Sequence, residues 1–175
     1  MSKRFFQITA LLCGMALSGN AQAPTSSPTK TLRPITNFIP VTDQMIRNPK
    51  PSDWLIHRGN YQAWGYSALE QINKGNVKNL QLVWSRNMEA GANEATPLVY
   101  NGVMYLGNSG DVIQAIDAGT GDLLWEYRHP LPKIEAFHNG LGQRKRSIAL
   151  YGDQIYFVTW DNFVVSLGAR TGEVV

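Results

Sequence analysis

Residues 115–125 read Ala115-Ile116-Asp117-Ala118-Gly119-Thr120-Gly121-Asp122-Leu123-Leu124-Trp125, and they are the strongest indication of the fold class. A short apolar strand runs into a Thr-Gly turn, and a tryptophan follows four residues after the second glycine. The aspartate of such a turn can accept backbone N–H bonds, the glycine can take a positive φ, and the indole can cover a large apolar area. A single copy indicates only a turn with a buried tryptophan.

The same pattern returns 51 residues further along the chain without a gap. The aligned pairs are Thr120-Gly121 with Thr171-Gly172, Ala118 with Ala169, Tyr105 with Tyr156, and two replacements, Ala115 by Ser166 and Asp117 by Gly168. An earlier ending of the same kind lies at residues 79–84 and closes on Trp84. The pattern is therefore a structural repeat with a period near 50 residues.

Each repeat contains short runs of Val, Ile, Tyr and Leu that alternate with tight-turn sequences. The predicted strands are 99–107, 111–117, 148–151, 154–159 and 163–167, with turns at Asn101-Gly102, Asn108-Ser109-Gly110, Gly152-Asp153 and Trp160-Asp161-Asn162. This predicts an all-β protein, a β-propeller of four-stranded antiparallel blades. About two to two and a half blades fit into the chain, too few to close a ring, so we expect a fragment or part of an assembly.

The first 52 residues lie outside the repeats. Residues 1–23 have Lys3 and Arg4, an apolar run over 5–17 and the small-x-small site 21–23, which predicts a cleaved export signal, with a retained anchor as the alternative. That signal contains the only cysteine, and removing it lowers the formal charge from +3 to +1. The Pro-rich residues 24–52 predict an extended arm that lies on the body from Val41 onward and cannot form a central strand.

The remaining residues, 53–175, are expected to form the blades. Ser67 and the Leu69–Ile72 spacing predict a short helical turn over 67–73. Only the cluster Arg144-Lys145-Arg146 is strongly basic, so nothing points to nucleic acid.

The repeat and the segment before it together resemble the PQQ-dependent (quinoprotein) alcohol dehydrogenases of the methanol and ethanol dehydrogenase kind. The family's tryptophan-docking motif is Ala-x-Asp-x-x-Thr-Gly followed by Trp, which residues 115–125 match in full. The upstream segments that match are Val41-Thr42-Asp43, Asn48-Pro49, Asp53-Trp54-Leu55, Gly59-Asn60-Tyr61, Tyr66-Ser67, Gln71-Ile72-Asn73 and residues 76–84. Gly65 and Ala68 depart from the family's usual Arg and Pro. The resemblance implies eight blades in the full-length parent.

The resemblance also implies two cofactor contacts in this chain. Glu94 aligns with a glutamate that hydrogen-bonds PQQ, and Arg146 aligns with an arginine whose fork of donors suits carboxylate and quinone oxygens. Without the resemblance, Glu94 would be interpreted as a solvated surface carboxylate and residues 144–146 as a solvent-exposed (wet) basic loop. Arg144 is a less favoured alternative to Arg146 for the cofactor contact. The adjacent cysteine pair of many relatives is absent here from residues 139–142, which indicates a divergent subfamily.

For the parent, the resemblance implies a periplasmic enzyme that oxidises small alcohols and passes electrons to a c-type cytochrome, with possible peripheral membrane association. Its catalytic aspartate, and the Glu, Asn and Asp that hold calcium or a lanthanide, belong to later segments. We therefore assign no catalytic or metal residue to this chain and expect it to be inactive alone. The alternatives are a non-catalytic propeller scaffold that binds partners, and a quinoprotein acting on another substrate such as a sugar or polyvinyl alcohol.

The remaining polar and aromatic residues are interpreted as structural. His57, His129 and His138 lack metal-ligand spacing, and Thr159 is assigned to the fold. The aspartates at turns, Asp117, Asp153 and Asp161, are predicted to cap backbone N–H groups. The tryptophans predicted to lie in the core are Trp54, Trp64, Trp84 and Trp125.

Overall fold

A computed structural model of the chain describes residues 29–130 and 145–175. Its strands form two antiparallel sheets with almost no helix. The elements are β1 Lys30–Thr31, α1 Asp43–Arg47, a 3₁₀ turn Val77–Asn79, β2 Leu98–Tyr100, β3 Val103–Asn108, β4 Val112–Asp117, β5 Leu123–Arg128, β6 Ala149–Tyr151, β7 Gln154–Val158 and β8 Val164–Gly168. The order is β1-β5-β4-β3-β2 in the first sheet and β6-β7-β8 in the second.

The first sheet is a four-stranded antiparallel blade with one added strand at its outer edge. Asn101 and Gly102 join β2 to β3 with φ angles of 49° and 78°, the left-handed pair that matches the twist of a two-residue hairpin. A register shift between Ala115 and Ile116 bends β4 against β5. The inner edge of the sheet is extended by Trp54, which exchanges both backbone hydrogen bonds with Val99.

The second sheet repeats the first three strands of the blade with the predicted offset of 51 residues. Leu98–Tyr100 corresponds to Ala149–Tyr151, and β7 and β8 begin within one residue of the positions that the offset requires. A bridge from Val174 to Leu167 starts the position of a fourth strand. The prediction of an all-β propeller built from repeated antiparallel blades is thereby confirmed.

Tryptophans join the successive blades. The Trp125 side chain is fully buried, and its Nε1–H donates to the carbonyl oxygen of Ala169 in the second sheet at 3.0 Å. Trp84 makes the same contact one unit earlier, donating to the carbonyl oxygen of Ala118 at 3.0 Å. Each indole lies on the glycine of the next Thr-Gly turn, where a Cβ would come within 2.7 Å of ring carbon Cδ2. The docking expected from the repeat is therefore present twice.

The arm follows the outside of both sheets. β1 pairs with β5 through Thr31 and Trp125, at the edge of the sheet, where proline-rich chain can pair. Further along, Val41 is buried and exchanges two backbone hydrogen bonds with Gly152, at 2.7 and 2.9 Å. Thr42 then caps α1, because its Oγ1 accepts from the Met45 N–H. The arm therefore contacts both blades.

Two expectations about the segment between the arm and the first blade are wrong. Residues 67–73 form no helix. The Ser67 hydroxyl accepts the Leu69 N–H and closes a local turn instead of capping a helix. Trp64 is not a core residue, since 70% of its surface is exposed. In the described parts of the chain, no helix has the length and apolar character needed to cross a membrane.

Candidate functional site

Glu94 and Arg146 lie side by side at the ends of two neighbouring blades. Glu94 precedes β2 by four residues and Arg146 precedes β6 by three, so both stand where the first strand of a blade begins. The Arg146 Nε–H donates to Glu94 Oε2 at 3.1 Å, and the two side chains are 71% and 40% exposed. The Thr96 N–H also donates to the Arg146 carbonyl oxygen at 3.4 Å. The sequence analysis assigned both residues to cofactor contacts but did not predict that they pair with each other.

The loop that carries Glu94 is fixed by its neighbour Asn93. Asn93 Oδ1 accepts the Ser109 N–H at 2.8 Å, and its Nδ2 donates to the Glu89 carbonyl oxygen at 2.8 Å. The Glu89 carboxylate in turn pairs with Arg128 at 2.5 Å, and hydrogen bonding to that guanidinium holds the pKa of Glu89 below its usual range. The loop is thus attached to the first blade at two residues that precede Glu94, Glu89 and Asn93.

Arg146 is preceded by a buried cation. The Lys145 ammonium lies 2.5 Å from Asp111 Oδ1, and the two side chains are 7% and 4% exposed. Lys145 also donates to the Val158 carbonyl oxygen and stands 5.1 Å from the centre of the Phe157 ring. The interpretation of this region as a wet basic loop is wrong for Lys145, because Asp111 from the neighbouring blade supplies the counter-charge that burial requires.

A second polar pair, of the buried His129 and the half-buried Asp161, lies beside the first. His129 Nε2 is 3.0 Å from Asp161 Oδ1, its Nδ1 is 3.1 Å from the Tyr127 hydroxyl, and its backbone N–H donates to the Asp111 carbonyl oxygen. Thr159 Oγ1 donates to Asp161 at 2.5 Å and accepts the Phe163 N–H.

The structural interpretation of His129 and Thr159 agrees with these contacts. Asp161 differs from its prediction, because its carboxylate holds His129 and Thr159 rather than serving only its own turn. Asp117 does cap its turn, since Oδ1 accepts the N–H groups of Gly119 and Thr120. Of the other predicted residues, His57 is exposed and Trp54 and Trp84 are half-buried.

The Asp161 pair should make stability depend on pH in the acid range. Burial raises the pKa of Asp161, but hydrogen bonds from Thr159 and His129 outweigh it and hold that pKa below its ordinary value of 3.8. A carboxyl with a lowered pKa contributes stability above its unfolded pKa and loses it as pH falls through the folded pKa. We expect the thermal midpoint to fall between about pH 5 and about pH 3, and to fall less steeply in Asp161→Asn. Parallel curves for this variant and for Asp153→Asn, at an exposed turn, would contradict the assignment.

Some expectations lie outside the described residues. These are the export signal, the absence of a disulfide at residues 139–142, Arg144 and His138. Within residues 29–130 and 145–175, no group of three or more His, Cys, Asp or Glu side chains is arranged to hold a metal ion.

Docked tryptophans and a 51-residue blade repeat define this protein as a β-propeller of the tryptophan-docked class. Residues 54–175 match the PQQ family described as the glucose/ethanol/alcohol dehydrogenase β-propeller domain. The chain therefore belongs to the PQQ-dependent dehydrogenase propeller family.

Individual relatives agree with this membership. The dehydrogenase subunit of alcohol dehydrogenase (quinone) from Komagataeibacter europaeus is 36% identical over 126 residues, which is 71% of this chain and 17% of that protein. The crystal structure of quinohemoprotein alcohol dehydrogenase from Comamonas testosteroni aligns with a TM-score of 0.68 and 37% identity, covering 77% of this chain and 21% of that one. A europium-containing methanol dehydrogenase aligns with a TM-score of 0.64 and 28% identity, over 76% and 24%. The chain thus spans about a fifth of the relatives' length.

Proposed function

We propose that the parent protein is a PQQ-dependent dehydrogenase that oxidises alcohols to aldehydes or ketones, and that Glu94 and Arg146 contact the cofactor. The observation that carries this proposal is the pairing of the two residues across neighbouring blades at 3.1 Å. The family's relatives, named as quinone and quinohemoprotein alcohol dehydrogenases, give the reaction class.

The two side chains fit the chemistry of PQQ. The cofactor carries carboxylates and quinone oxygens, which the planar guanidinium of Arg146 can bind with several donors at once. Among the described residues, only Nε of Arg146 is engaged, which leaves the outer nitrogens of its fork for a ligand. Glu94 adds an acceptor beside that fork. Arg146 and Glu94 would bind and orient PQQ, which would supply the hydrogen-accepting chemistry that alcohol oxidation requires.

The rest of the parent's function is proposed with the enzyme. Calcium or a lanthanide would be held by residues of later segments, which would also supply the catalytic aspartate, so residues 24–175 alone should not oxidise alcohols. We propose that the parent is exported to the periplasm, on the basis of the pattern in residues 1–23. The proposed electron acceptor is a c-type cytochrome.

Substitution of Arg146 tests the cofactor site directly. We expect Arg146→Ala in the full-length apoprotein to raise the Kd for PQQ by about 10- to 100-fold, because a charge-assisted hydrogen bond contributes about 1.5–3 kcal/mol. Glu94→Gln should weaken binding less, since it keeps the shape and one acceptor. The measurement is a titration with PQQ followed by tryptophan fluorescence.

Arg170→Ala is the matched control, because Arg170 donates to the Ile35 carbonyl oxygen on the outer side and should leave the Kd unchanged. Unchanged PQQ affinity in Arg146→Ala would refute the proposed contact. A full-length protein that does not bind PQQ at all would favour the non-catalytic scaffold. Dye reduction with PQQ, metal ion and a panel of alcohols, sugars and polyvinyl alcohol would separate the alcohol dehydrogenase from the other quinoproteins.

A further inference from the structure

We propose that Asp111, acting through Lys145, is a positioning residue that sets where the Arg146 guanidinium stands relative to Glu94. The inference rests on the proposed cofactor role of Arg146. It assigns a function to a buried ion pair that touches neither Glu94 nor Arg146 through its charged atoms.

Lys145 and Arg146 are adjacent, and their side chains have opposite surroundings. The Lys145 side chain is 7% exposed and that of Arg146 is 71% exposed. Because the two residues are adjacent, the buried position of the Lys145 side chain restricts the directions open to the exposed Arg146 side chain. The ammonium of Lys145 is held by Asp111 Oδ1 and the Val158 carbonyl oxygen. A movement of the Lys145 backbone would therefore move the base of the Arg146 side chain.

The aliphatic part of the Lys145 side chain is confined as closely as its ammonium group. Gly107 of β3 lies directly beneath it, and a Cβ at Gly107 would overlap Lys145 Cγ. Asp111 itself is fixed, because its Oδ2 accepts the Trp160 N–H at 2.5 Å and its carbonyl oxygen accepts the His129 N–H. Both members of the ion pair are thus held by further contacts besides the one between them.

The same turn also holds the loop of Glu94. The turn between β3 and β4, residues 109–111, offers the Ser109 N–H to Asn93 Oδ1 and the Asp111 carboxylate to Lys145. We call residues 109–111 the anchor turn. Since Asn93 and Lys145 directly precede Glu94 and Arg146, the anchor turn is a common reference for both candidate cofactor contacts.

The negative charge of Asp111 is what this arrangement requires. Asp111→Asn keeps the shape and an acceptor for the Trp160 N–H, but it leaves the Lys145 ammonium buried without a counter-charge. Such a cation is unfavourable and tends to turn out toward water. Lys145 would then draw its backbone, and with it Arg146, away from Glu94.

A double-mutant cycle with Arg146 distinguishes positioning from general stabilisation. The measured quantities are the Kd for PQQ of the full-length apoprotein and the midpoint of its unfolding in guanidinium. We expect Asp111→Asn to raise the Kd by about tenfold when Arg146 is present, and by less than about twofold in the Arg146→Ala background. The unfolding midpoint should fall equally in both backgrounds. Equal rises of the Kd in both backgrounds would overturn the inference and leave a structural role only.

A second variant covers the case in which Asp111→Asn folds poorly. Asp111→Asn combined with Lys145→Met removes the buried cation, so the unfolding midpoint should recover. The Kd for PQQ should stay raised, because a methionine makes no directional bond to residue 111 or to Val158. A Kd restored to the wild-type value would contradict the inference. No effect of Arg146→Ala on the Kd would refute the proposed cofactor contact instead, so the two failures are distinguishable.

Discussion

Trp125→Ala is expected to reduce the free energy of unfolding by about 3–5 kcal/mol, the range measured when a large buried aromatic side chain is truncated. Trp125 is fully buried, belongs to the first blade and makes its hydrogen bond to Ala169 of the second. The cavity would open at the junction of two sheets, where neither can collapse into it without losing its own pairing. Guanidinium unfolding of the full-length protein, followed by circular dichroism, measures the loss.

Trp125→Phe separates the two contributions of the indole. It keeps most of the apolar area and removes the hydrogen bond from Nε1–H to the Ala169 carbonyl oxygen, so it should cost about 0.5–1.5 kcal/mol for the bond. The Ala169 carbonyl oxygen keeps a hydrogen-bond donor in this variant, because the Tyr105 hydroxyl donates to it at 3.2 Å. A loss below about 1 kcal/mol for Trp125→Ala would show that this tryptophan does not hold the blades together.

Gly172→Ala should be nearly as damaging, although it adds only one methyl group. Gly172 has a φ of 75°, in the left-handed region where an L side chain costs about 1–2 kcal/mol. Its Cβ would also stand 2.7 Å from Trp125 Cδ2, and overpacking of this kind costs about 1–3 kcal/mol. The expected loss is about 2–5 kcal/mol, read from the same unfolding experiment.

Gly102→Ala is the matched control for the contact with the ring. Gly102 has nearly the same φ, 78°, but a Cβ there meets no atom within 4 Å. It should therefore show the backbone cost alone, about 1–2 kcal/mol. Equal losses of unfolding free energy for Gly172→Ala and Gly102→Ala would contradict this prediction. They would mean that the Trp125 indole can move to accommodate the added methyl group and is not tightly packed against Gly172.

The repeat could be predicted from the sequence because local chemistry dictates it. Asn-Gly, Thr-Gly and the spacing to Trp125 each specify a turn or a contact that depends on few other residues, and the structure has them as expected. The prediction of a helical turn over residues 67–73 was wrong for the opposite reason. A serine with apolar residues at helical spacing is a weak signal, and a local side-chain hydrogen bond was enough to replace the helix.

The candidate site could be predicted only in part. Glu94 and Arg146 were named through resemblance, but their pairing depends on how two blades are stacked, which no local pattern encodes. Lys145 was missed because its partner, Asp111, lies 34 positions away in a turn of the other blade. The one usable signal was a lysine four residues before an apolar strand with an aspartate at the facing hairpin, and this pattern is too common to predict a buried pair.

The contacts of the arm also have a consequence for the order of folding. Thr29 and Thr31 donate to the carbonyl oxygens of Gly172 and Thr171, and the Ile35 N–H donates to the carbonyl oxygen of Arg170. These contacts join residues about 140 positions apart in the chain, so a large loop must close before they form. The arm leaves the ribosome before either blade, yet it can make these contacts only after the turn of the second blade has formed. We therefore expect the arm to dock onto the folded blades late in folding. Hydrogen exchange during refolding should show that the amides of β1 become protected after those of β3 and β4.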